Sequence, residues 1–200
     1  MPLVASAKPT GRSESMAKSE ITFSPERALE TILYLAARLE EPTVHEVLKL
    51  RYFADKLHLG QFGWLASGDD YVAMKFGPVG SGTYNLLRAA RGDQSGWIHP
   101  RFSELVHDAL AVGADKKTVL GQRPSDPSRL SGAEIECLDE ALRLYGGMGF
   151  RQRTMLSHDD AWLAAWKAAA EDEVGQSPMA VEAIAGTLPN ADELIAHIRH

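Results

Sequence analysis

The stretch GPVGSGTY, residues 77–84, has the glycine content of a loop that binds phosphate between a strand and a helix. A Walker-type loop requires Lys-Ser or Lys-Thr after its last glycine, whereas here Thr83 follows Gly82 without a lysine. The dinucleotide fingerprint G-x-G-x-x-G does not fit this spacing either, and Pro78 removes one amide donor. The pattern therefore predicts a structural corner at Gly77 and Pro78, between a strand and a helix, that binds no nucleotide.

The segment SHDDAW places His158 beside Asp159 and Asp160, and a histidine oriented by a carboxylate can act as a general base. Ser157 and the two aspartates are also residue types that start helices, and we favour this structural role. No G-x-S-x-G elbow supports a hydrolase. The seven histidines form no H-E-x-x-H or H-x-x-x-H pair and Cys137 is the single cysteine, so the sequence predicts no metal and no cofactor.

The segment LKLRYFADKLHL combines charged and aromatic residues on one predicted helix. Lys49 and Arg51 could contact nucleic acid while Tyr52 and Phe53 stack on bases. In the simpler interpretation the aromatic rings face the core, Arg51 pairs with Asp55 one turn on, and Lys49 extends to solvent. The net charge of -6 favours the simpler interpretation, because non-specific nucleic-acid binding depends on basic surface.

The elements that position these residues are mostly helices. Ser24 before Pro25 is a helix start, and Thr43 with Glu46 and Ser131 with Glu134 have the spacing of a capping box. YVAMKF predicts a strand, and SGWIHP, LVHDALAV and TVLGQ predict short strands. The sequence predicts helices over about 25–40, 43–58, 81–91, from the Ser131 cap to Gly146-Gly147, 150–157, from 159 onward, 180–185 and 192–199.

These elements predict an α+β fold that is predominantly α-helical, a compact single domain with a few short antiparallel strands. Residues 1–20 are polar and aperiodic and predict a disordered tail, with Met16 as an alternative start. The folded domain is predicted over 21–175, and a C-terminal helical extension over 176–200. No apolar run approaches the ~20 residues of a membrane span, and the N-terminal apolar stretch is short for a secretory signal. The sequence therefore predicts a cytoplasmic protein.

Five segments in chain order resemble the successive motifs of the SocA-like Panacea domain. They are ILYLA, LKLRYFADKLHL, MKFGPVGSGTYNLL, LSGAEIECLDEALRLYG and LSHDDAW, which together cover roughly residues 27 to 166. Most of the matching residues are interpreted as forming the fold. The matching residues are Lys49, Tyr52, Asp55, Gly77, Pro78, Tyr84, Leu130, Ser131, Tyr145, His158 and Trp162.

The resemblance implies an antitoxin and not an enzyme. Panacea domains neutralise diverse cognate protein toxins by direct contact, and some act as adaptors that deliver the toxin to an ATP-dependent protease. The alternative is a DNA- or phage-associated regulatory module, and a hydrolase using His158 is less favoured. The resemblance does not cover 1–20 or 170–200, so these segments are candidates for partner specificity. Contact regions are expected at 92–129 and from Ala180 onward.

Overall fold

The computed structural model describes residues 22–93, 99–171 and 175–199, so the predicted tail and most of SGWIHP lie outside the described residues. The fold is α+β and predominantly helical, as predicted. The first half contains α1 (Pro25–Ala36), α2 (Val44–Phe62), β1 (Tyr71–Met74), β2 (Gly77–Gly80) and α3 (Ser81–Ala90). The second half contains α4 (Pro100–Val106), β3 (Leu110–Val112), β4 (Val119–Gly121), a 3₁₀ turn (Pro127–Arg129), α5 (Gly132–Tyr145), α6 (Phe150–Ser157), α7 (Asp160–Glu171), β5 (Ser177–Pro178), α8 (Val181–Ala185) and α9 (Ala191–Arg199).

Helix α2 is the centre of the structure. Helix α5 packs along it, and α1, α6, α8 and β2 contact its other sides. Because α2 is surrounded, its polar residues are buried together with its apolar ones. The fully buried leucines Leu50 and Leu59 of α2 join Leu29 of α1, Leu86 of α3 and Leu138 of α5 in one core.

Local sequence signals fix where three of the helices begin. Ser24, Thr43 and Ser131 are N-caps whose hydroxyl groups accept the backbone amide three residues along, at 3.1–3.3 Å. The carboxylate of Glu46 turns to Arg153 of α6, with an Nη1–Oε1 distance of 2.7 Å. Glu46 of the predicted capping box therefore forms an ion pair that connects α2 to α6.

The glycine-rich corner is a strand and not the turn that the sequence predicts. Residues Gly77–Gly80 form β2, which pairs antiparallel with β1 in the order β2-β1-β5, and Ala73 lies opposite Pro78. Lys75 and Phe76 make the turn between the two strands. Pro78 is compatible with a strand here because β2 lies at the edge of this described sheet, where one side needs no amide donors.

The region 92–129 differs from the predicted run of strands. Pro100–Val106 is helical, with Pro100 at its start and His99 as the N-cap whose Nδ1 accepts the Arg101 amide. Proline at the first helical position is the local signal that the strand prediction overlooked. The predictions around LVHDALAV and TVLGQ are confirmed only for the short antiparallel hairpin of β3 and β4.

The C-terminal elements return to the sheet and to α2. Strand β5 pairs with β1, with Pro178 opposite Val72. The side-chain amide of Asn190 donates to the Gly60 carbonyl at 3.1 Å, which ties the start of α9 to the end of α2. In the part of the chain that the structure describes, no helix has both the length and the apolar character of a membrane span.

Candidate functional site

Several residues of the quoted motifs lie in a group of buried polar side chains around α2, which we call the inner polar frame: Lys49, Tyr52, Asp55, Asp69 and Asp159 with their bonded partners. Three of these residues come from α2, and Asp69 lies just before β1. Asp159 joins α6 to α7. The frame therefore connects the central helix to the β1–β2 hairpin and to the start of α7.

The carboxylate of Asp69 lies at the N-terminus of α3, next to the glycine-rich segment. Its carboxylate accepts the amides of Gly82 at 2.8 Å and Thr83 at 2.9 Å, and the Thr83 hydroxyl at 2.7 Å. A Cβ atom on Gly80 would lie 2.6 Å from Asp69 Oδ2. The anion-binding end of α3 is thus filled by the protein's own carboxylate, which the sequence analysis did not single out.

Lys49 is buried, contrary to the expectation that it extends to solvent. Only 1% of the residue is exposed, and its Nζ donates to the Pro78 carbonyl at 2.7 Å. Burial lowers the pKa of Lys49 to about 7. The approach is close because Gly77 has no side chain: a Cβ atom there would lie 2.5 Å from Ser157 Oγ and 2.9 Å from Lys49 Nζ.

Asp159 connects α2 to α7. Its Oδ2 accepts the Tyr52 hydroxyl at 2.9 Å and pairs with Lys56 Nζ at 2.7 Å. Its Oδ1 accepts the Trp162 backbone amide at 3.0 Å, so Asp159 caps α7. Burial, followed by the Asp159 charge, raises the pKa of Tyr52, which therefore stays a donor to this carboxylate.

His158 lies between α6 and α7 and packs against Trp162. The two rings are parallel, with 3.5 Å between their centroids, and the Trp162 indole donates to the Met74 carbonyl at 3.0 Å. Burial and then the charge of Lys49 lower the pKa of His158. The neighbouring Asp159 carboxylate bonds to Tyr52 and Lys56 and does not orient the imidazole of His158. The imidazole is instead stacked on the Trp162 ring.

Asp55 hydrogen-bonds to the loop before β1 and to Tyr71 of β1. The predicted pairing of Asp55 with Arg51 is therefore wrong. The Asp55 carboxylate accepts the Ser67 amide at 2.9 Å and the Tyr71 hydroxyl at 2.7 Å. Among the described residues, no ion pair joins Asp55 to the buried Arg51. The i,i+4 spacing suggested a surface pair, whereas both side chains point into packed structure.

The remaining motif residues also lie in or against the core. Tyr145 packs on Phe53 with ring centroids 4.2 Å apart. Tyr84 is partly buried, with the Arg88 guanidinium 5.8 Å from its ring centroid. Leu130 is buried just before the N-cap of α5.

A second feature is an open cavity of about 570 Å³, which we call the aromatic pocket. It lies where the start of α1, the end of α2 and the start of α5 meet. Phe62 and Trp64 flank its mouth and are 36% and 45% exposed. The residues that characterise the pocket are Arg27, His58, Phe62, Trp64, Arg129 and Glu134.

His58 forms the buried inner wall of the aromatic pocket. Only 3% of the residue is exposed, and its Nδ1 lies 2.9 Å from the Trp64 carbonyl, so this nitrogen carries the proton. The ring centroid lies 4.6 Å from that of Phe62 and 5.8 Å from that of Trp64. The other nitrogen, Nε2, is an acceptor without a hydrogen bond to any described residue.

Charged groups lie on the opposite side of the pocket. Arg27 donates to the Ala66 carbonyl, and its Nε lies 3.7 Å from the buried carboxylate of Glu134. Arg129 lies 3.5 Å from Asp126 and keeps 56% of its side chain exposed. The pocket thus combines two aromatic rings, one imidazole acceptor and an exposed guanidinium group.

No group of three or more metal-ligating side chains is found among the described residues. Burial raises the pKa of the Cys137 thiol to about 11, and the thiol lies in the core between α2 and α5. Of the sequence-predicted residues, Lys49, Tyr52 and Asp55, with Pro78 and Trp162 as bonded partners, lie in the inner polar frame. Leu130 and Ser131 line the aromatic pocket, whose other residues the sequence analysis mostly did not single out.

Comparison with known proteins gives a single family. The model of the antitoxin SocA-like Panacea domain matches residues 47–163, which include most of α2, the β1–β2 hairpin, α5 and the start of α7. No curated protein and no solved structure matches the chain. The matched range covers more than half of the chain and contains the whole inner polar frame, so the protein belongs to the antitoxin SocA-like Panacea domain family.

Proposed function

We propose that this protein is an antitoxin that neutralises a toxin encoded beside it, by forming a stoichiometric complex and without catalysing a reaction. Family membership over residues 47–163 supports the antitoxin part. The observation that carries the binding part is that three charged side chains of the motifs bond to other parts of the same chain. Lys49, Asp55 and Asp159 all hold the fold in this way.

The charge of the chain supports a basic toxin as partner. At a net charge of -6, the protein attracts a cationic surface over a distance of about 8–10 Å at physiological ionic strength. Such complementarity mainly accelerates the encounter, whereas buried anchor residues set the lifetime of the complex. We therefore expect the association rate to fall as salt rises, with a smaller change in the dissociation rate.

Co-expression tests the proposal directly. Cells that make the product of the adjacent gene should stop growing without this protein and grow with it, and the two chains should co-purify in a fixed ratio. If no neighbouring gene is toxic, or if rescue occurs without a detectable complex or toxin loss, the antitoxin proposal is wrong.

The proposed mechanism has a second step, in which the complex delivers the toxin to an ATP-dependent protease. Toxin half-life distinguishes this step from simple occlusion. Delivery predicts that the toxin disappears faster when the antitoxin is present and that deleting the protease removes this effect. An unchanged half-life, with growth still rescued, would leave occlusion as the mechanism.

A further inference from the structure

We propose that the aromatic pocket is the anchor site for the partner, and that it takes a tryptophan or tyrosine side chain flanked by a carboxylate. The identification of that partner as a toxin depends on the function proposed above. The pocket itself is inferred from its own geometry, and it can be tested without the partner.

The size of the pocket suits an aromatic side chain. Its volume of about 570 Å³ lies within the ~300–1,000 Å³ range of sites that bind small molecules. Phe62 and Trp64 stand at the mouth with their rings 6.5 Å apart and partly open to solvent. Aromatic residues that fill such pockets dominate the energetics of many protein interfaces.

The inner wall favours a hydrogen-bond donor. Because the Trp64 carbonyl fixes the proton of His58 on Nδ1, Nε2 presents a lone pair. When a ligand displaces water from the pocket, this acceptor becomes unfavourable unless the ligand brings an N–H or O–H group to it. The tryptophan indole and the tyrosine hydroxyl carry such a donor at the far end of an apolar ring, whereas phenylalanine and leucine do not.

The rim favours a carboxylate next to that ring. The Arg129 guanidinium is 56% exposed, and Arg27 lines the same cavity. The Glu134 carboxylate in the first turn of α5 also lines the cavity and pairs with Arg27, so Arg129 is the guanidinium that remains exposed at the rim. On a chain of net charge -6, the exposed guanidinium of Arg129 distinguishes an acidic-flanked aromatic residue from the rest of a basic partner.

Three small probes test the pocket in the full chain by NMR. N-acetyl-L-tryptophan should shift the Trp64 indole and His58 ring signals in a saturable way. Its amide, which lacks the carboxylate, should bind at least threefold more weakly. N-acetyl-L-leucine should shift neither signal. The inference is overturned if the tryptophan probe shifts neither signal or if the leucine probe binds equally well.

Substitutions connect the pocket to the partner. Trp64→Ala keeps the backbone carbonyl that orients His58, and it should weaken the partner complex at least tenfold. Arg129→Ala should weaken it by a smaller factor and should remove the preference for the acid probe over the amide. The matched control is Phe76→Ala, since Phe76 is an exposed aromatic residue, 53% accessible, in the β1–β2 turn. It should change binding less than threefold.

The outcomes separate this inference from the proposed function. If no adjacent toxin exists but N-acetyl-L-tryptophan binds as described, the pocket stands and the toxin proposal fails. If the toxin complex forms and Trp64→Ala binds like wild type, the anchor inference is wrong. It is also wrong if Phe76→Ala is the variant that loses the partner while Trp64→Ala keeps it.

Discussion

The inner polar frame and the aromatic pocket use the same helix in opposite ways. In the middle of α2, Lys49 and Asp55 bond to the backbone or side chains of other elements. At its end, His58 has an acceptor nitrogen that no described residue satisfies, and Phe62 is partly exposed. The polar groups of Lys49 and Asp55 are used within the fold, which is typical of a structural role, although Arg51 and His158 beside them keep buried nitrogens without a hydrogen-bond partner among the described residues. Exposed aromatic rings beside an open acceptor favour recognition.

The largest loss of stability is expected from a substitution of Asp69 in the inner polar frame. Asp69→Ala removes a buried carboxylate that accepts three hydrogen bonds from Gly82 and Thr83, and it leaves those donors unpaired at the start of α3. We expect a loss of roughly 3–5 kcal/mol in the free energy of unfolding, measured by urea denaturation.

Asp115 provides the matched control for this substitution. Its carboxylate also accepts two backbone amides and a threonine hydroxyl, from Lys117 and Thr118, but in an exposed turn. Asp115→Ala should cost only a small fraction of the Asp69 effect, because water replaces the lost bonds. Equal costs for the two variants would contradict the importance of burial in the frame.

The next effect comes from the close approach at Gly77. This glycine has φ 102°, and a Cβ atom would lie 2.5 Å from Ser157 Oγ. Gly77→Ala combines left-handed strain with a steric clash, so we expect a loss of about 2–4 kcal/mol by thermal or urea unfolding.

Gly92 separates the two contributions. It has φ 79°, and a Cβ atom added there would have no described atom within 4 Å. Gly92→Ala should therefore show the strain alone, about 1–2 kcal/mol. If it costs as much as Gly77→Ala, the packing of Lys49 against Gly77 contributes nothing measurable.

Lys49 gives the frame a pH dependence. Its pKa is about 7 in the folded chain against 10.5 as the ordinary value, so between these values the unfolded chain binds more protons. The stability of the wild type should therefore rise with pH from 7 to 9, by on the order of 2 kcal/mol. His45 and His158, whose pKa values are lowered with Lys49 as one cause, titrate below this window.

Lys49→Met tests this assignment by removing the titrating group. Its free energy of unfolding should be nearly flat between pH 7 and 9, whatever its absolute value. The raised pKa of Cys137, about 11 against 9.0 as the ordinary value, acts in the opposite direction from about pH 8 upward and lowers the stability slightly by pH 9. Denaturation curves of the wild type and the methionine variant are therefore compared at pH 7, 8 and 9. A slope that persists in the methionine variant would assign the pH dependence to another group.

The features that could be predicted from the sequence are those determined by interactions between residues close together in the chain. The starts of α1, α2 and α5 follow from Ser24, Thr43 and Ser131, whose caps act within three residues. Strand β2 was missed because Gly77 and Pro78 are turn residues by composition, and only pairing with β1 makes them a strand.

The inner polar frame and the aromatic pocket could not be predicted from the sequence because they depend on contacts between distant parts of the chain. Asp69 reaches Thr83, 14 residues along the chain, through the fold of the hairpin. Lys49 could not be placed by periodicity because α2 is buried on all sides from Glu46 to Asp55. Phe62 and Trp64 lie on either side of Gly63, and no local pattern in the sequence indicates that their rings are partly exposed.

The smallest stability change is expected from Trp64→Ala in the aromatic pocket. This variant tests whether the pocket, unlike the inner polar frame, contributes little to the stability of the fold. Trp64 is 45% exposed, and the bond from His58 goes to its backbone, which Trp64→Ala retains. We therefore expect the free energy of unfolding to fall by less than about 1 kcal/mol, far below the Asp69→Ala effect, because the ring already contacts water. Urea denaturation of both variants under one set of conditions measures the contrast. If Trp64→Ala destabilised the fold as much as Asp69→Ala, the ring would be a structural element. Its exposure would then no longer be a reason to assign the pocket to recognition.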